Sequence, residues 1–333
     1  APSVDIAICT HNRPDALIRC LKSLASLDMM PAGSKPGVIV IDNAPSDDRT
    51  RDVVATFAVG NAGNGSLAEI RYVVEAKPGL DFARNRALRE STRELLAFID
   101  DDVVVDRGWL NGIWEAWSAN PDAGAITGPI LPLELETKAQ IVFEQMGGFG
   151  KSFDRVRFSR TLPDVPSYPV GAGIFGAGAN MVFRRSTLEQ LGGFDDALDT
   201  GAPLPGGGDL DMFYRVARAG FPLIREPRVL VFHQHRREYA ALRHQMWTWG
   251  LGTMAYLTKT WRNDPEQRLN IRRWMLWWLS YQLSKIFFPH RRRMRGRWPW
   301  DMVAAELMGA VAGVMGEYDR SVARTEELRR QYA

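Results

Sequence analysis

Short apolar runs alternate with segments of helical spacing over the first hundred residues. Each run predicts a buried strand, while apolar positions such as Leu17, Leu21 and Leu24 fall on one face of a helix. Strands that alternate with helices and short connections indicate a mostly parallel sheet covered by helices, an α/β fold. The predicted strands are 4–9, 37–41, 70–74 and 95–99; the predicted helices are 16–27, 47–57 and one inside 79–96.

The pattern changes after residue 130. Residues 144–180 are rich in Gly, Pro and aromatic residues and show little periodicity. Beyond them we expect strands at 180–184 and 229–232 and helices at 186–191 and 209–219. From Tyr239 onward the chain predicts helices rich in Trp, Met and Arg. The sequence therefore predicts an α/β unit over residues 1–237 and a helical, basic, Trp-rich region over 238–333.

Polar residues follow each of the four predicted strands of the first part. In open α/β sheets ligands bind beyond the carboxyl ends of the strands, so these residues predict one polar site built from separate segments. They are Thr10 to Arg13, which include Asn12, then Asp42 and Asn43, then Lys77 to Gly79, and Asp100 to Asp102.

The last of these groups places three aspartates directly after the buried run Leu95–Ile99. Adjacent carboxylates repel one another and need a compensating cation. Hard oxygen ligands favour Mg²⁺ or Mn²⁺, and such an ion bridges to a diphosphate. A solvated acidic turn is the alternative. The flanking strand and the other polar strand ends favour the metal site.

Six segments in order along residues 4–235 resemble the large inverting family 2 of glycosyltransferases with the GT-A fold. They are "VDIAICTHNRPDALIRCLKSL", "VIVIDNAPSDDRT", "KPGLDFARNRAL", "FIDDDV", "GAGANMVFRRSTLEQLGGFDDAL" and "GGDLDMFYRVARAG". "FIDDDV" is similar to the family's Asp-x-Asp motif. The resemblance implies a Rossmann-like GT-A domain, with a nucleotide-sugar half at 1–130 and an acceptor half at 131–237.

The resemblance also implies roles for individual residues. Asp102 with Asp100 would hold Mn²⁺ or Mg²⁺, and His233 is a candidate third ligand. Asp209 would be the base that takes the proton of the acceptor hydroxyl, and it begins a predicted helix whose dipole favours an anion. The expected donor-binding residues are Thr10, Asn12, Arg13, Asp42, Asn43, Arg84, Asp100 and Asp101; the expected acceptor-side residues are Asp211, Trp109 and Gly178.

The sequence departs from the family pattern at one position near the base. The family often has Glu before the catalytic aspartate, whereas Gly208 precedes Asp209 here. The Gly-rich lead "PLPGGG" indicates a loop over the acceptor. The expected activity is metal-dependent transfer, with inversion, from a nucleotide sugar, most commonly a uridine diphosphate sugar among similar enzymes. The acceptor would be a saccharide or lipid-linked saccharide, with bacterial surface polysaccharide assembly as the setting.

Three other interpretations fit parts of the sequence. "GAGIFG", Gly171–Gly176, fits G-x-G-x-x-G, but a dinucleotide fingerprint needs a strand before it and a helix after it. "DDDVV" resembles the nucleophile motif of haloacid-dehalogenase-like phosphatases, whose later acidic motif needs an aspartate where Phe213 stands. A non-catalytic scaffold on a membrane surface, built on the late helices, would predict that Asp102→Asn leaves function intact.

Composition limits the classes of binding partner and the cellular compartment that we expect. A net charge of +3 does not predict nucleic-acid binding, and two cysteines, Cys9 and Cys20, predict a reducing, cytoplasmic compartment. The apolar segments 274–288 and 302–315 are shorter than a membrane span. Next to them, His290–Arg297 is strongly basic, which fits either peripheral contact with the cytoplasmic face of an anionic inner membrane or helices packed on the core. A homodimer through these helices is a further option.

Overall fold

A computed structural model describes residues 2–29, 34–61, 66–150, 152–159, 167–201, 203–287 and 298–332. The strands are β1 Val4–Thr10, β2 Gly37–Asn43, β3 Glu69–Glu75, β4 Leu95–Asp100, β5 Val103–Val105, β6 Ala125–Thr127, β7 Ile130–Pro132, β8 Val156–Phe158, β9 Asn180–Arg184, β10 Leu223–Arg225 and β11 Val231–His233. The helices are α1 Pro14–Leu24, α2 Arg49–Asn61, α3 Leu80–Glu90, α4 Trp109–Ala119, α5 Lys138–Gln145, α6 Arg185–Gln190, α7 Gly208–Arg218, α8 Tyr239–Asn263, α9 Arg268–Phe287, α10 Trp300–Ala312 and α11 Tyr318–Gln331.

The central sheet has the strand order β3-β2-β1-β4-β9-β6-β10-β8. The first four strands in that order are parallel, and β9 pairs antiparallel with both β4 and β6. In the parallel half Thr10 lies opposite Asp42, and Cys9 lies opposite Asp100. The carboxyl ends of β1, β2 and β4 therefore meet at one edge, as the polar strand ends predicted.

A second, three-stranded sheet has the order β5-β11-β7. In its antiparallel β5–β11 pair, His233 lies opposite Val103. Because Asp102 directly precedes Val103, this register brings the end of β11 beside the acid cluster. A backbone hydrogen bond from Gln234 N to Asp102 O, 3.0 Å long, closes the pair.

Two apolar cores cover the faces of the central sheet. Leu17, Leu21 and Leu24 of α1 join Trp109 and Ile113 of α4 on one face. On the other face one apolar cluster includes α3, α7 and residues of α8 and α9, among them Met212, Tyr256 and Trp278. The late helices thus pack against the α/β part, and an independent unit over 238–333 stays a prediction.

The α/β class, the early strands and the helical C-terminal region are confirmed. The strand predicted at 229–232 is shifted along the chain, because β11 begins at Val231 and ends at His233. The sequence did not predict the short elements β6, β7, β10, α4 and α5. None of the described helices has the length and apolar character that crossing a membrane requires. The basic block 290–297 lies outside the described residues.

Candidate active site

The acid cluster at the end of β4 is held by Arg13 and Thr10. Arg13 bridges two carboxylates, with Nη1 2.6 Å from Asp101 Oδ1 and Nη2 2.6 Å from Asp102 Oδ2. Thr10 Oγ1 donates a 2.6 Å hydrogen bond to Asp101 Oδ2. Burial raises the pKa of Asp101 to about 6 despite the nearby Arg13 charge. Arg13 therefore pairs with two of the three carboxylates, and among the described residues it forms no ion pair with Asp100.

Asp100, Asp102 and His233 form a group suited to a metal ion. Each offers one ligand atom, and these atoms lie within 4.8 Å of one another. Burial, and then the neighbouring Asp102, raise the pKa of Asp100 to about 7. Burial lowers the pKa of His233 to about 4, so the imidazole is neutral at pH 7 and can ligate. Asp102 Oδ1 is buried and has no hydrogen-bond partner among the described residues, as a carboxylate oxygen facing a cation would be.

A cavity of about 650 Å³ opens over the strand ends, and we call it the acidic cavity. It would accommodate a nucleotide-sized molecule. Its lining joins the acid cluster to the loops after β1 and β2 and to the last helix. The lining includes Thr10, His11, Arg13, Asn43, Gly79, Asp100, Asp101, Asp102, His233, Arg236, Arg324 and Leu328.

The other residues expected on the donor side lie behind the wall of the acidic cavity or at its rim. Asp42 is fully buried and accepts a 2.8 Å hydrogen bond from Tyr72 Oη. Asn43 ties the β2 end to the next loop, with Oδ1 accepting from Gly79 N at 2.9 Å and Nδ2 donating to Lys77 O at 2.7 Å. Asn12 has a positive φ of 54°, and its Oδ1 accepts from Ser46 N at 3.0 Å. Asn12 and Asn43 thus shape the loops, and Asn43 alone of these three lines the cavity.

A second cavity of about 480 Å³ lies between the sheet and the late helices, and we call it the aromatic cavity. It meets the acidic cavity at a shared boundary formed by Leu80, Asp100, Asp199, Pro205, His233 and Arg236. Its remaining wall is rich in glycine and aromatic residues, including Gly173, Gly178, Phe149, Trp249, Tyr256, Trp274 and Trp278. Apolar ring faces beside a few polar groups suit a sugar or another amphipathic ligand.

Asp209 lines the aromatic cavity at the start of α7. Its Oδ2 accepts a 2.8 Å hydrogen bond from Gly178 N, and its Oδ1 accepts one of 2.8 Å from Leu210 N. These two backbone donors fix the carboxylate, and the helix N-terminus favours its charge. The structure thus brings two residues predicted from the sequence, Asp209 and Gly178, into direct contact.

Arg84 lies beside this pair and is buried. Its Nη1 donates to Asp81 Oδ1 at 2.8 Å and to Asp199 Oδ2 at 3.2 Å. Burial opposes the guanidinium charge, but Asp81 and Asp199 raise the pKa of Arg84 above its usual value. The guanidinium also borders the aromatic cavity. Arg84 therefore serves first to hold the carboxylates of Asp81 and Asp199 near Asp209.

The glycine that departs from the family pattern is required by this cluster. A Cβ on Gly208 would lie 2.0 Å from Asp81 Oδ2 and 2.7 Å from Asp199 Oδ2. Gly208 N donates to Asp199 Oδ2 at 3.0 Å. The carboxylate expected before the base is thus replaced by carboxylates from two other segments.

Two expected acceptor-side residues face elsewhere. Asp211 is buried and forms an ion pair of 2.7 Å with Lys259 Nζ, which joins α7 to α8, and another of 2.7 Å with Arg215 Nε within α7. Trp109 is fully buried in the core, where Nε1 donates a 3.0 Å hydrogen bond to Asn180 Oδ1. Neither is among the residues that line the two cavities. Residues two apart on an α-helix project in nearly opposite directions, about 200° apart, so Asp211 points away from the side that Asp209 occupies.

Three residues that line the cavities were not predicted from the sequence. Arg236 follows the β11 end and borders both cavities, and Arg324 and Leu328 of α11 close the acidic cavity from the far end of the chain. The signal for Arg236 was its position three residues after His233. Arg324 and Leu328 carried no local signal, because only the packing of α11 brings them there.

This arrangement defines the class of protein: the fold is GT-A, with an acid cluster at a strand end and a second cavity beside it. The sequence pattern described as "Glycosyl transferase family 2" matches residues 5–167, and that described as "Glycosyl transferase family group 2" matches residues 95–310. The second match covers more than half of the chain. The chain belongs to this family of glycosyltransferases, as the resemblance of its motifs predicted.

Individual relatives match over shorter stretches. The chain is 33% identical to the succinoglycan biosynthesis protein ExoM of Rhizobium meliloti over 127 residues, which are 38% of this chain and 38% of that protein. It is 30% identical over 156 residues to the pre-mycofactocin glycosyltransferase of Mycobacterium tuberculosis, 47% of this chain and 30% of that one. The chain thus spans less than half the length of these two curated relatives.

A solved structure shares the fold over nearly the whole chain. The mannosyltransferase PcManGT from Pyrobaculum calidifontis, in complex with GDP-Man and Mn²⁺, superposes with a TM-score of 0.59. The match covers 95% of this chain and 89% of that chain at 19% identity. The likeness confirms the GT-A architecture.

Proposed function

We propose that this protein transfers a sugar, with inversion, from a nucleoside diphosphate sugar to a hydroxyl group. The observation that carries the proposal is the meeting of two cavities at Asp100, His233 and Arg236. One cavity holds the residues expected to bind a donor, and the other holds a fixed carboxylate. A donor in the first and an acceptor in the second would react across that boundary.

The acidic cavity suits the nucleoside diphosphate. Its polar walls from the β1 and β2 loops would contact base and ribose, and Asp101, held by Thr10 and Arg13, faces the same space. Arg236 is an exposed cation at the boundary, where the diphosphate would lie, and guanidinium groups bind phosphate oxygens with paired donors. A uridine diphosphate sugar remains our expectation, and a guanosine donor is the alternative that the PcManGT complex raises.

Two carboxylates and a neutral imidazole would hold the cation. Asp100 and Asp102 supply hard oxygen ligands, and His233 supplies a nitrogen that suits a first-row transition ion better than Mg²⁺. We therefore expect Mn²⁺. Held by these residues, the ion would supply positive charge against the leaving diphosphate.

Asp209 would act as the base in the aromatic cavity. Its two backbone hydrogen bonds fix the carboxylate where an acceptor hydroxyl would enter, and it would take that proton as the hydroxyl attacks the anomeric carbon. Trp249, Trp274 and Trp278 offer ring faces on which an acceptor sugar can stack. Attack from the side opposite the leaving group would invert the configuration.

The acceptor is a saccharide, and we propose that it is linked to a lipid. Helix α9 supports this because Trp274 and Trp278 line the aromatic cavity while the opposite face of the same helix exposes apolar side chains. The exposed face comprises Leu276, Trp277, Leu279, Leu283, Ile286 and Phe287. Exposed Arg272 and Arg273 flank it. An apolar face with adjacent arginines fits the interface of an anionic membrane, which we propose is the cytoplasmic leaflet.

A panel of nucleoside diphosphates and sugar nucleotides, with and without Mn²⁺, tests the donor side. A ligand that binds the folded state raises the melting temperature, so one base should give a shift that requires the metal and is lost in Asp102→Asn. Proton NMR of the product with the selected donor would read the anomeric configuration. Metal-independent shifts, unchanged in Asp102→Asn, would refute the cation role, and a retained configuration would refute inversion.

Flotation with vesicles containing phosphatidylglycerol tests the membrane surface. The wild-type protein should float at low salt, and the triple substitution Leu276→Ser, Trp277→Ser, Leu283→Ser should not. Val59→Ser is the matched control, because Val59 is also highly exposed but lies on α2. Failure of the wild type to float, with concentration-dependent dimers lost in the triple variant, would assign this face to a second copy instead.

A further inference from the structure

Four polar side chains form a continuous line behind the cation group. His233 Nε2 lies 3.3 Å from Asp102 Oδ1, His233 Nδ1 lies 3.1 Å from His235 Nδ1, and His235 Nε2 lies 2.9 Å from Glu144 Oε1. Asp102, His233 and His235 are all buried. His233 and His235 point to the same side because alternate residues of an extended segment do so.

Counting protons along this line fixes the hydrogen-bond directions. The line has three contacts between neighbouring side chains, and with one N–H on each imidazole only two protons serve them. A carboxylate only accepts, so Glu144 takes the N–H from His235 Nε2 and leaves His235 Nδ1 as an acceptor. His233 Nδ1–H then donates to it, and His233 Nε2 keeps its lone pair.

The contact left without a proton is the one between His233 and Asp102, at the acid cluster. There the His233 Nε2 lone pair faces Asp102 Oδ1, an oxygen with no hydrogen-bond partner among the described residues. Two acceptors 3.3 Å apart repel each other unless a cation binds to both. The line of side chains therefore places its unsatisfied pair at the position of the proposed cation.

We propose that His235 and Glu144 are positioning residues that fix the tautomer of His233 and so present its Nε2 lone pair to the divalent cation. The inference rests on the proposed function for the identity of the ligand as a cation. It adds two residues that lie outside the ligand set and act through His233. A ligating histidine whose second nitrogen donates to a fixed acceptor binds metal more tightly.

Residues 143–149 pack around this line of side chains. Phe149 packs against the His233 ring with centroids 5.0 Å apart, and Phe143 packs edge-on against His235 at 4.7 Å. Gly148, with φ of 53°, leaves room for the carboxylate, since a Cβ there would lie 2.3 Å from Glu144 Oε1. The rings are thus confined by aromatic neighbours, and their orientation depends on Glu144 at the end.

Long-range ¹⁵N–¹H NMR on histidine-labelled, metal-free protein tests the tautomers directly. The chain has five histidines, so assignment by single substitutions is practicable. His233 should carry its proton on Nδ1 and His235 on Nε2. A His233 protonated on Nε2 in the folded wild type would overturn the proposal.

Mn²⁺ affinity, measured by electron paramagnetic resonance of the free ion, tests the consequence. Glu144→Leu and His235→Phe should each weaken Mn²⁺ binding by about tenfold or more. Glu144→Gln should stay within about threefold of the wild type, because its carbonyl oxygen still accepts from His235. Glu136→Leu, which removes a carboxylate exposed on the preceding loop, should change nothing.

The outcomes separate this inference from the proposed function. If the wild type binds Mn²⁺ and folded Glu144→Leu binds it equally well, the positioning role is wrong while the cation site stands. If the wild type binds no Mn²⁺, both fail. Loss of binding in Glu144→Leu with recovery in Glu144→Gln excludes a merely structural effect and supports the proposal.

Discussion

Gly208 provides a sharp test of how Asp209, the proposed base, is positioned. Changing it to alanine places a Cβ 2.0 Å from Asp81 Oδ2, whereas real Cβ contacts essentially never fall under 3.0 Å. Something must therefore move by about 1 Å. Asp81 and Asp199 are both held by Arg84, and Asp199 also accepts from Gly208 N, so neither carboxylate is free to rotate away.

The start of α7 is then the part that shifts, and it carries Asp209. A misplacement of about 1 Å at a reacting group costs on the order of a hundredfold in rate. Overpacking of a filled interior costs about 1–3 kcal/mol of unfolding free energy. We expect Gly208→Ala to remain folded, to bind nucleoside diphosphate with Mn²⁺ normally, and to lose about a hundredfold in kcat.

Steady-state transfer assays with thermal melts check this expectation. Gly60→Ala is the control, because a Cβ on Gly60 in α2 meets nothing within 4 Å. Combining Gly208→Ala with Asp81→Ala should cost less than the sum of the two single changes, since the nearest clashing oxygen is gone. Wild-type kcat in Gly208→Ala, or strictly additive costs in the double variant, would refute the reasoning.

Three further outcomes follow from the site. Asp209→Asn should lower transfer by about two to four orders of magnitude while the Mn²⁺-dependent thermal shift with nucleoside diphosphate persists; loss of that shift would contradict a base role. Asp211→Asn should lower the melting temperature, because Arg215 loses its anion and Lys259 keeps only Asp195, with kcat changed by less than about threefold; a collapse of kcat at full stability would restore its acceptor role. Burial raises the pKa of Asp100 from 3.8 to about 7, so ionisation of this carboxyl costs folding free energy that grows between these two pH values and is constant above about pH 7. The melting temperature of the metal-free protein should therefore decline from about pH 4 to about pH 7, less so in Asp100→Asn, and an unchanged slope in that variant would refute the assignment.

The polar edge of the sheet was predictable from the chain alone. Polar or turn-forming residues follow each strand of the parallel half, and parallel strands place those ends together. Thr10, Arg13 and the three aspartates accordingly meet, with Arg13 contacting two of the aspartates. What the pattern did not contain was which carboxylate pairs with which cation, because that depends on side-chain geometry in the folded state.

Long-range contacts account for the errors. Trp109 was expected near the acceptor, but a large aromatic ring at the start of α4 contributes most by burial, and Asn180 satisfies its N–H. Arg324 and Leu328 border the acidic cavity only because α11 folds back over it. No local period or motif marks such a residue, since its function is set by tertiary packing.

The position of His233 depends on both its local sequence motif and the strand register of the fold. The resemblance suggested it as a ligand, but the physical reason is the antiparallel register of β11 against β5, which sets His233 opposite Val103 and hence beside Asp102. A slip of one residue would turn His233 to the other face of the second sheet and bring Gln234 toward the acid cluster. The same register aims His235 at Glu144 on α5. The proposed cation site therefore depends on a three-residue strand pair, and substitutions that weaken that pairing should lower Mn²⁺ affinity without touching a ligand.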